Sequence, residues 1–376
     1  MRLLICAGGT GGGVYPALAV LQALPGDMHP SILWIGSIGG MERELVERAQ
    51  VPFEAIPAAG VHGVGLRSLP GNILQLVRGF REAAQILKRF KPDVLFFTGG
   101  YVAVPVALAG HHVPSVLYVP DIEPGLALKV LARLAGCIAV SAEDSRAFLP
   151  SRSNVTVTGY PVRPDMGIWE KQAALKVFDL SDQLPVLLVF GGSSGARSIN
   201  RALLAVLPEL LIEMQIIHVS GRLDWAEVET ARNQLSRLSG AEAGLGQRYR
   251  AFPYLHAEMS AALAAADLAL SRAGASTLGE FPQAGLPAVL VPYPHAWRYQ
   301  KVNADYLEQR GAAVVVLDQD LPHRLAPVVR GLMNDTARRE QMRHSMRSLR
   351  RPDAARAIAG LLQRFTLERD QERKIS

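Results

Sequence analysis

Cysteine is scarce in this chain, which has two in 376 residues. Cys6 and Cys137 each stand in a short apolar run typical of a buried strand. Small extracellular proteins held together by disulfides need many more cysteines, so that class is excluded and a reducing cytoplasm is expected. A signal peptide is not expected, because the first apolar run stops at Gly8 and no small-residue cleavage pattern follows.

A long hydrophobic run of the kind that spans a membrane is also missing. Residues 94–120 contain no Asp, Glu, Lys or Arg, but Gly99, Gly100, Pro105 and Gly110 interrupt them. A spanning helix needs about 20 mostly apolar residues in succession. We therefore predict a buried strand, a glycine turn, a helix and a second strand in this segment.

No single basic block accounts for the net charge of +6. An excess of Lys and Arg is typical of proteins that bind nucleic acid, an anionic membrane surface or an acidic substrate. The chain contains no DNA- or RNA-binding signature, so nucleic acid is not an expected partner. A membrane surface and a diphosphate substrate remain.

A glycine-rich turn stands near the start of the chain. It runs from Gly8 to Gly13, after a predicted strand at residues 2–7 and before a predicted helix at residues 17–24. Strand, glycine turn and helix open a doubly wound nucleotide-binding fold, although the spacing fits neither a dinucleotide fingerprint nor a P-loop. Backbone N–H groups in such a turn can surround a diphosphate, and Thr10 adds a hydroxyl. A purely structural turn is the alternative.

The same pattern recurs in the second half, where Gly191 to Arg197 follow a predicted strand and precede a helix. Between the halves, Gly159 to Pro164 contain two prolines, which are typical of a stiff linker. We predict two α/β domains, at residues 1–160 and 161–376. The final helices are able to pack back on the first domain.

The most specific pattern lies between Ser271 and Asn303. An apolar run ends at Ser271, and a turn of small residues leads to Glu280 in a predicted helix. A further strand, residues 288–292, precedes Gln300 and Asn303, which are one helical turn apart. Helix N-termini bind anions, and carboxylate and amide side chains bind hydroxyls. The stretch predicts a site for a ligand that carries both phosphate and sugar.

SRAGASTLGE at residues 271–280, followed by PYPHAWRYQKVNA at residues 292–304, resembles the donor-sugar site of the MurG family within glycosyltransferase family 28. These N-acetylglucosaminyltransferases complete the lipid-linked precursor of peptidoglycan. The resemblance covers nearly the whole chain. It implies the GT-B architecture, with two doubly wound Rossmann-like α/β domains facing a cleft.

The resemblance implies that UDP-N-acetylglucosamine binds the second domain. Glu280 would hold the ribose, Gln300 and Asn303 the sugar, and the backbone near Leu255 the uracil. An arginine such as Arg163 can hold phosphate oxygens bidentately, although a solvated hinge arginine is the alternative. The implied donor-binding residues are Thr10, Gly11, Gly12, Arg163, Ser193, Leu255, Ala275, Ser276, Thr277, Leu278, Gly279, Glu280, Gln300 and Asn303.

The implied acceptor is undecaprenyl-diphospho-muramoyl-pentapeptide at the inner face of the cell membrane. The expected reaction is an inverting transfer that needs no metal and no cofactor. The protein is expected to be cytoplasmic and peripherally attached to the anionic membrane surface. The residues implied around the acceptor diphosphate are Gly8, Gly9, Gly99, Gly100 and Tyr101.

Two positions on the acceptor side depart from the family pattern. The family shows GGTGGH where this chain has GGTGGG, so Gly13 replaces a candidate catalytic histidine. The family shows His-Glu-Gln-Asn where this chain has Tyr118 to Asp121. A carboxylate in a closed site can have a raised pKa and act as a general base, which makes Asp121 the replacement candidate. A helix N-cap before Pro124 is the alternative.

These departures leave two other functions open. One is transfer to a different lipid acceptor, such as diacylglycerol or another polyprenol. The other is UDP-sugar binding without catalysis.

Three further segments have less specific patterns. Residues 72–89 are predicted to form a helix whose apolar stripe packs on the core, with a basic membrane-facing patch as the alternative. Asp318 to Asp320 match the D-x-D motif that binds a metal and a diphosphate in another glycosyltransferase class, but a lone tripeptide is expected to be a solvated loop. The charged tail, residues 366–376, is expected to fray.

Overall fold

The computed structural model describes residues 1–8, 11–26, 29–59, 69–192, 195–237, 244–294 and 299–375. The chain divides into two compact units. Unit 1 comprises Met1–Arg163 and Arg351–Ser376, and unit 2 comprises Pro164–Arg350. The first boundary lies three residues beyond the one predicted, and the C-terminal segment belongs to unit 1.

Unit 1 contains a parallel sheet, seven-stranded in the described residues, whose central strands are buried and whose two edge strands are only partly buried. Its strands are β1 (Arg2–Ala7), β2 (Ser31–Ser37), β3 (Phe53–Ile56), β4 (Val94–Gly99), β5 (Ser115–Val119), β6 (Cys137–Val140) and β7 (Val155–Val157). The order is β3-β2-β1-β4-β5-β6-β7. From β1, the chain adds strands first towards one edge of the sheet and then, starting with β4, towards the other edge. Ligands bind at the carboxyl ends of the strands beside such a change in strand order.

Five α-helices in the described part of unit 1 connect the strands from β1 to β6, and a 3₁₀ helix at Glu143–Phe148 connects β6 to β7. The α-helices are α1 (Gly11–Gln22), α2 (Glu42–Arg48), α3 (Leu69–Phe90), α4 (Ala103–Ala109) and α5 (Leu126–Leu131). The predicted start of the first helix at residue 17 is wrong, since α1 begins at Gly11. Glycine is a poor helix former, but Thr98 Oγ1 donates to Gly13 O at 2.7 Å and holds this first turn on β4.

Unit 2 repeats the doubly wound arrangement, with a six-stranded parallel sheet in its described residues. Its strands are β8 (Val186–Phe190), β9 (Gln215–Val219), β10 (Tyr249–Phe252), β11 (Leu268–Ser271), β12 (Ala288–Leu290) and β13 (Ala313–Val315). The order is β10-β9-β8-β11-β12-β13, so the reversal of strand order in this sheet lies between β8 and β11. The two glycine-rich stretches of unit 2 follow these two strands.

The described part of unit 2 contains eight α-helices. They are α6 (Lys171–Val177), α7 (Arg197–Glu213), α8 (Trp225–Leu235), α9 (Met259–Ala265), α10 (Glu280–Ala284), α11 (Tyr299–Gln309), α12 (Leu321–Asn334) and α13 (Thr336–Ser348). The last helix, α14 (Ala354–Ile375), packs against α1, β4 and β5 in unit 1. The tail that is predicted to fray continues this helix as far as Ile375.

Residues 94–120 fold as predicted, into β4, a glycine turn, α4 and β5. Over the described ranges, we find no helix with the length and apolarity needed to cross a bilayer. The two strands of this charge-free segment are buried, whereas Tyr101, Leu108, His111 and His112 between them are exposed.

The helix predicted at residues 72–89 is α3, but its apolar stripe is only partly on the core. Ala83, Ile86 and Leu87 in its second half are buried. Between residues 73 and 80, α3 instead exposes 41–50% of each of four apolar side chains. We refer to these four residues as the α3 patch: Ile73, Leu74, Val77 and Phe80. The prediction that the whole stripe packs on the core is therefore wrong.

Candidate active site

The two glycine turns of unit 1 touch at the carboxyl ends of β1 and β4. Gly100 has a φ of +86°, and a Cβ there would lie 2.8 Å from Gly8 O and 3.0 Å from Gly8 N. Gly99 is also left-handed, with a φ of +132°, and Tyr101 beside it is exposed. The structure thus brings together four of the five predicted acceptor residues, while Gly9 lies outside the described residues.

Replacement of Gly100 by alanine is expected to destabilise unit 1 by about 1–3 kcal/mol, because of the left-handed φ and the close carbonyl of Gly8. Thermal unfolding measures this loss. The matched control is Gly331→Ala at an exposed position of α12, where an added Cβ meets no atom within 4 Å. That control should gain about 0.5–1 kcal/mol. Equal stability of Gly100→Ala and the wild type would contradict the close packing.

Glu42 is a buried carboxylate beside the first glycine turn that the sequence analysis missed. Its Oε1 accepts hydrogen bonds from Ser37 N at 2.7 Å and Ser37 Oγ at 2.6 Å. A Cβ on Gly8 would lie 2.9 Å from the same oxygen, and a Cβ on Gly40 would clash with the carboxylate. Burial raises the pKa of the neighbouring Cys6 thiol, and the Glu42 charge adds to the rise. The sequence signal was a glycine pair followed by an acid after β2.

Asp121 lies just beyond β5 and is partly buried. The alternative that it caps the next helix is wrong, because α5 has Gly125 as its N-cap and no side-chain capping bond. Glu123 is instead buried in an ion pair with Lys129 at 2.9 Å. Asp121 thus remains the candidate base of this segment.

Tyr118 fixes the turn that carries Asp121. Ser141 Oγ donates to Pro120 O at 2.8 Å, so the Tyr118 hydroxyl, 2.8 Å from the same Oγ, is the donor to it. Burial raises the pKa of Tyr118 well above its usual range, and the Asp121 charge adds to the rise. A protonated phenol therefore holds this turn where the family pattern has a histidine.

Arg163 is the last residue of the first segment of unit 1. Its guanidinium carbon lies 5.9 Å from the centroid of the Tyr15 ring on α1, a cation–π distance. Gly11 and Gly12 stand in the first turn of that helix, whereas Thr10 lies outside the described residues. The arginine is thus packed against the helix that follows the first glycine turn.

In unit 2, β11 leads into a 3₁₀ turn at Ala275–Leu278 and then into α10, which begins at Glu280. The predicted helix at Glu280 is therefore present, with Glu280 as its first residue. Thr277 is buried, and its N–H and hydroxyl both donate to Gly274 O, at 3.0 Å and 2.7 Å. Ala275 and Ser276 are partly exposed in the same turn, and Gly279 follows Leu278 as the N-cap of α10.

The two predicted sugar-binding amides both hold loops in place. Asn303 is fully buried, and its Nδ2 donates to Ala273 O at 3.1 Å. Gln300 Oε1 accepts from Tyr293 N at 2.9 Å. Their spacing on α11 places both beside the loops that follow β11 and β12. Contact with a sugar stays a prediction for each.

Asp318 corrects the expectation of a solvated loop at the D-x-D tripeptide. Its Oδ1 accepts from Ser198 Oγ at 2.7 Å and forms an ion pair with Arg272. The Asp318 side chain is 23% exposed and that of Arg272 is 9% exposed. The expectation is therefore wrong for Asp318, which is tied to the beginning of α7 and the end of β11.

The second glycine loop lies between β8 and α7. Gly195 has a φ of +79°, and a Cβ there would lie 2.3 Å from Ser220 O, so the loop rests on the end of β9. Ser193 lies outside the described residues. The loop follows the strand beside β11, as the predicted donor site requires.

Two family models match this chain, and together they cover both units. The glycosyltransferase family 28 N-terminal domain matches residues 3–140, and the family 28 C-terminal domain matches residues 186–358. The UDP-N-acetylglucosamine–N-acetylmuramyl-(pentapeptide) pyrophosphoryl-undecaprenol N-acetylglucosamine transferase of Roseiflexus sp. (strain RS-1) is 42% identical, over 98% of this chain and 96% of its own. The chain belongs to glycosyltransferase family 28.

Other family 28 relatives agree with this assignment. A transferase of the same name from Moorella thermoacetica is 40% identical over 95% of this chain and 97% of its own. The crystal structure of Acinetobacter baumannii MurG matches with a TM-score of 0.74 and 26% identity, over 96% of this chain and 99% of that one. The UDP-GlcNAc 2-epimerase of Neisseria meningitidis has a TM-score of 0.65 at 14% identity, which shows the fold alone. The predicted family and the GT-B fold, with two parallel-sheet Rossmann-like domains, are confirmed.

A buried network supports the second glycine loop of this family 28 protein. Asn200 Nδ2 donates to Ser220 O and Asp224 Oδ2, each at 2.9 Å, so its Oδ1 accepts from His218 Nε2 at 2.9 Å. His218 Nδ1 therefore accepts from the Tyr249 hydroxyl at 2.7 Å. The imidazole is neutral, and burial lowers its pKa from 6.5 to about 3.

This shift predicts an acid-sensitive unit 2. Between pH 6.5 and about 3 the unfolded state binds a proton at His218 that the folded state does not, so stability falls as the pH falls. The slope is at most about 1.4 kcal/mol per pH unit. On going from pH 7 to pH 5, the melting temperature of the wild type should fall further than that of His218→Gln, whose side chain does not titrate. An equal drop in both proteins would contradict the assignment.

Leu255 follows β10 and is buried. Its neighbours in sequence, Tyr254 and His256, have ring centroids 4.6 Å apart. Its backbone remains the predicted contact for uracil. The sequence analysis missed Glu42 and Arg272, and it missed the partners of Asp318. Their signal was the nearness of an ionisable residue to a strand end, which does not reveal the partner.

Proposed function

We propose that this protein transfers N-acetylglucosamine from UDP-N-acetylglucosamine to undecaprenyl-diphospho-muramoyl-pentapeptide in peptidoglycan precursor synthesis. The observation that carries the proposal is the near full-length match to transferases named for this reaction. The donor motif also stands at the carboxyl end of the unit 2 sheet, beside the reversal of strand order.

On the donor side, the Glu280 carboxylate at the start of α10 accepts hydrogen bonds from the ribose hydroxyls. Because the Thr277 N–H is used within its turn, we assign the diphosphate to the N–H groups of Ala275 and Ser276. Gln300 reaches the sugar through its amide. Donors fixed in advance around the diphosphate stabilise the charge that develops as it leaves.

On the acceptor side, the paired turns at Gly8 and Gly100 hold the acceptor diphosphate through backbone N–H groups. Asp121 removes the proton from the attacking sugar hydroxyl as the new bond forms at the anomeric carbon. The bond from that carbon to UDP breaks at the opposite face, so a single displacement inverts the configuration. The step is proposed to need no metal, since a base and fixed donors supply the chemistry.

The acceptor assignment is tested by incubating the protein with labelled UDP-N-acetylglucosamine and one acceptor at a time. Labelled product with lipid-linked muramoyl-pentapeptide, and none with diacylglycerol, supports the proposal. Product with diacylglycerol alone would assign a different lipid acceptor. Donor binding without product in any mixture would assign a binding protein.

We propose that the α3 patch attaches the protein to the inner face of the cell membrane. The patch combines four exposed apolar side chains with exposed Arg78 and Arg81, which lie within the same stretch of α3 or directly after it. Apolar side chains enter the interface, and each basic residue near anionic headgroups contributes about 1 kcal/mol.

The triple variant Ile73→Ser, Val77→Ser, Phe80→Ser is expected to bind vesicles containing anionic phospholipid at least about tenfold more weakly, since it removes most of the apolar area. Vesicle sedimentation measures the binding. Ile212→Ser removes an apolar side chain that is 64% exposed in unit 2 and should leave binding unchanged. Equal loss in both variants would contradict a specific role for α3.

A further inference from the structure

Arg272 is a buried arginine at the carboxyl end of β11 whose guanidinium joins several segments. Its Nη1 donates to Val291 O at 3.2 Å and pairs with Asp318, while Nη2 donates to Ser198 Oγ at 2.7 Å. The guanidinium carbon also lies 5.2 Å from the centroid of the Tyr293 ring. A buried charge is tolerated when it is paired and hydrogen-bonded in this way.

These contacts join the carboxyl ends of four neighbouring strands. Ser198 lies in the first turn of α7, which follows β8 and the second glycine loop. Val291 follows β12, and Asp318 follows β13. Since Asp318 also accepts from Ser198 at 2.7 Å, the three polar side chains form a closed triangle. Movement of one loop would break bonds to the others.

The triangle is next to the groups assigned to the diphosphate and the sugar. Arg272 directly precedes the turn that contains Ala275 and Ser276. The Tyr293 ring lies on its guanidinium, and the N–H of the same tyrosine fixes Gln300. One ion pair therefore connects the supports of the diphosphate and those of the sugar.

We propose that Arg272 and Asp318 are positioning residues for the diphosphate-sugar half of the donor site. The proposal rests on the proposed function. Asp318 holds the guanidinium in one orientation, and the guanidinium sets the spacing between the Ala275–Ser276 turn and the loop that precedes α7. Neither side chain takes part in the chemical step.

The test is a set of titrations with UMP, UDP and UDP-N-acetylglucosamine, together with kcat. Asp318→Asn keeps the shape of the side chain but removes its charge. UDP-N-acetylglucosamine binding and kcat should each fall about tenfold, the effect of one charge-assisted hydrogen bond, while UMP affinity stays within about twofold. The matched control is Asp320→Asn in the same tripeptide, the N-cap of α12 that makes no capping bond, which should behave as the wild type.

A general structural role would give a different result. The positioning role would be overturned if Asp318→Asn lowered the affinities for UMP and UDP-N-acetylglucosamine equally, or if it lowered neither affinity. Should that variant fail to fold, Ser198→Ala removes only a neutral hydroxyl and must show the same selective loss. If the wild type bound no nucleotide, both this proposal and the proposed function would be overturned. If the wild type bound nucleotide but the variants did not distinguish UMP from UDP-N-acetylglucosamine, this proposal alone would be overturned.

Discussion

Replacement of Glu280 by alanine should weaken UDP-N-acetylglucosamine binding by about 100-fold or more. A carboxylate that accepts from two ribose hydroxyls contributes about 1.5–3 kcal/mol for each hydrogen bond, and 1.4 kcal/mol is a factor of ten. The side chain begins α10 and is partly buried beside the turn that follows β11. Isothermal titration with the donor measures the effect.

Two further variants make the Glu280 result specific. Glu280→Gln keeps one carbonyl acceptor, so its affinity should lie between those of the wild type and the alanine variant. Glu229→Ala removes a carboxylate from a surface pair with Arg232 on α8 and should leave donor binding unchanged. Wild-type affinity in Glu280→Ala would remove the ribose role.

Replacement of Asp121 by asparagine should lower kcat by about 10²–10⁴-fold, the usual contribution of a general base. Donor affinity should stay the same, because the residue acts on the acceptor hydroxyl. Stopped assays at saturating donor and acceptor give kcat, and titration gives the donor dissociation constant.

Surface Asp144→Asn in unit 1 is the matched control for Asp121 and should retain wild-type kcat. A near-normal rate in Asp121→Asn would show that another group accepts the proton. A parallel loss of donor affinity would show that the variant disturbs more than the base.

The sheets could be predicted from sequence because parallel strands buried on both faces are short apolar runs. Residues 2–7 were predicted as a strand and form β1 with the same bounds. The glycine turns were equally readable, since a left-handed residue such as Gly100 tolerates no side chain. These features depend on local sequence and on the chemistry of single residues.

Contacts between distant residues could not be predicted in this way. Asp318 was expected in solvent because its partners, Arg272 and Ser198, are 46 and 120 residues away along the chain. The spacing on α11 placed Asn303 near the donor loop, but did not show that its amide holds Ala273 O. The stripe on α3 was clear, although how far the core reaches under it depends on the neighbouring elements.

The most direct test is the structure of this protein crystallised with UDP-N-acetylglucosamine. The nucleotide is expected on unit 2, with its ribose hydroxyls on the Glu280 carboxylate, its diphosphate on the N–H groups of Ala275 and Ser276, and its sugar near Gln300. A well-ordered nucleotide bound anywhere else on the protein would contradict the account.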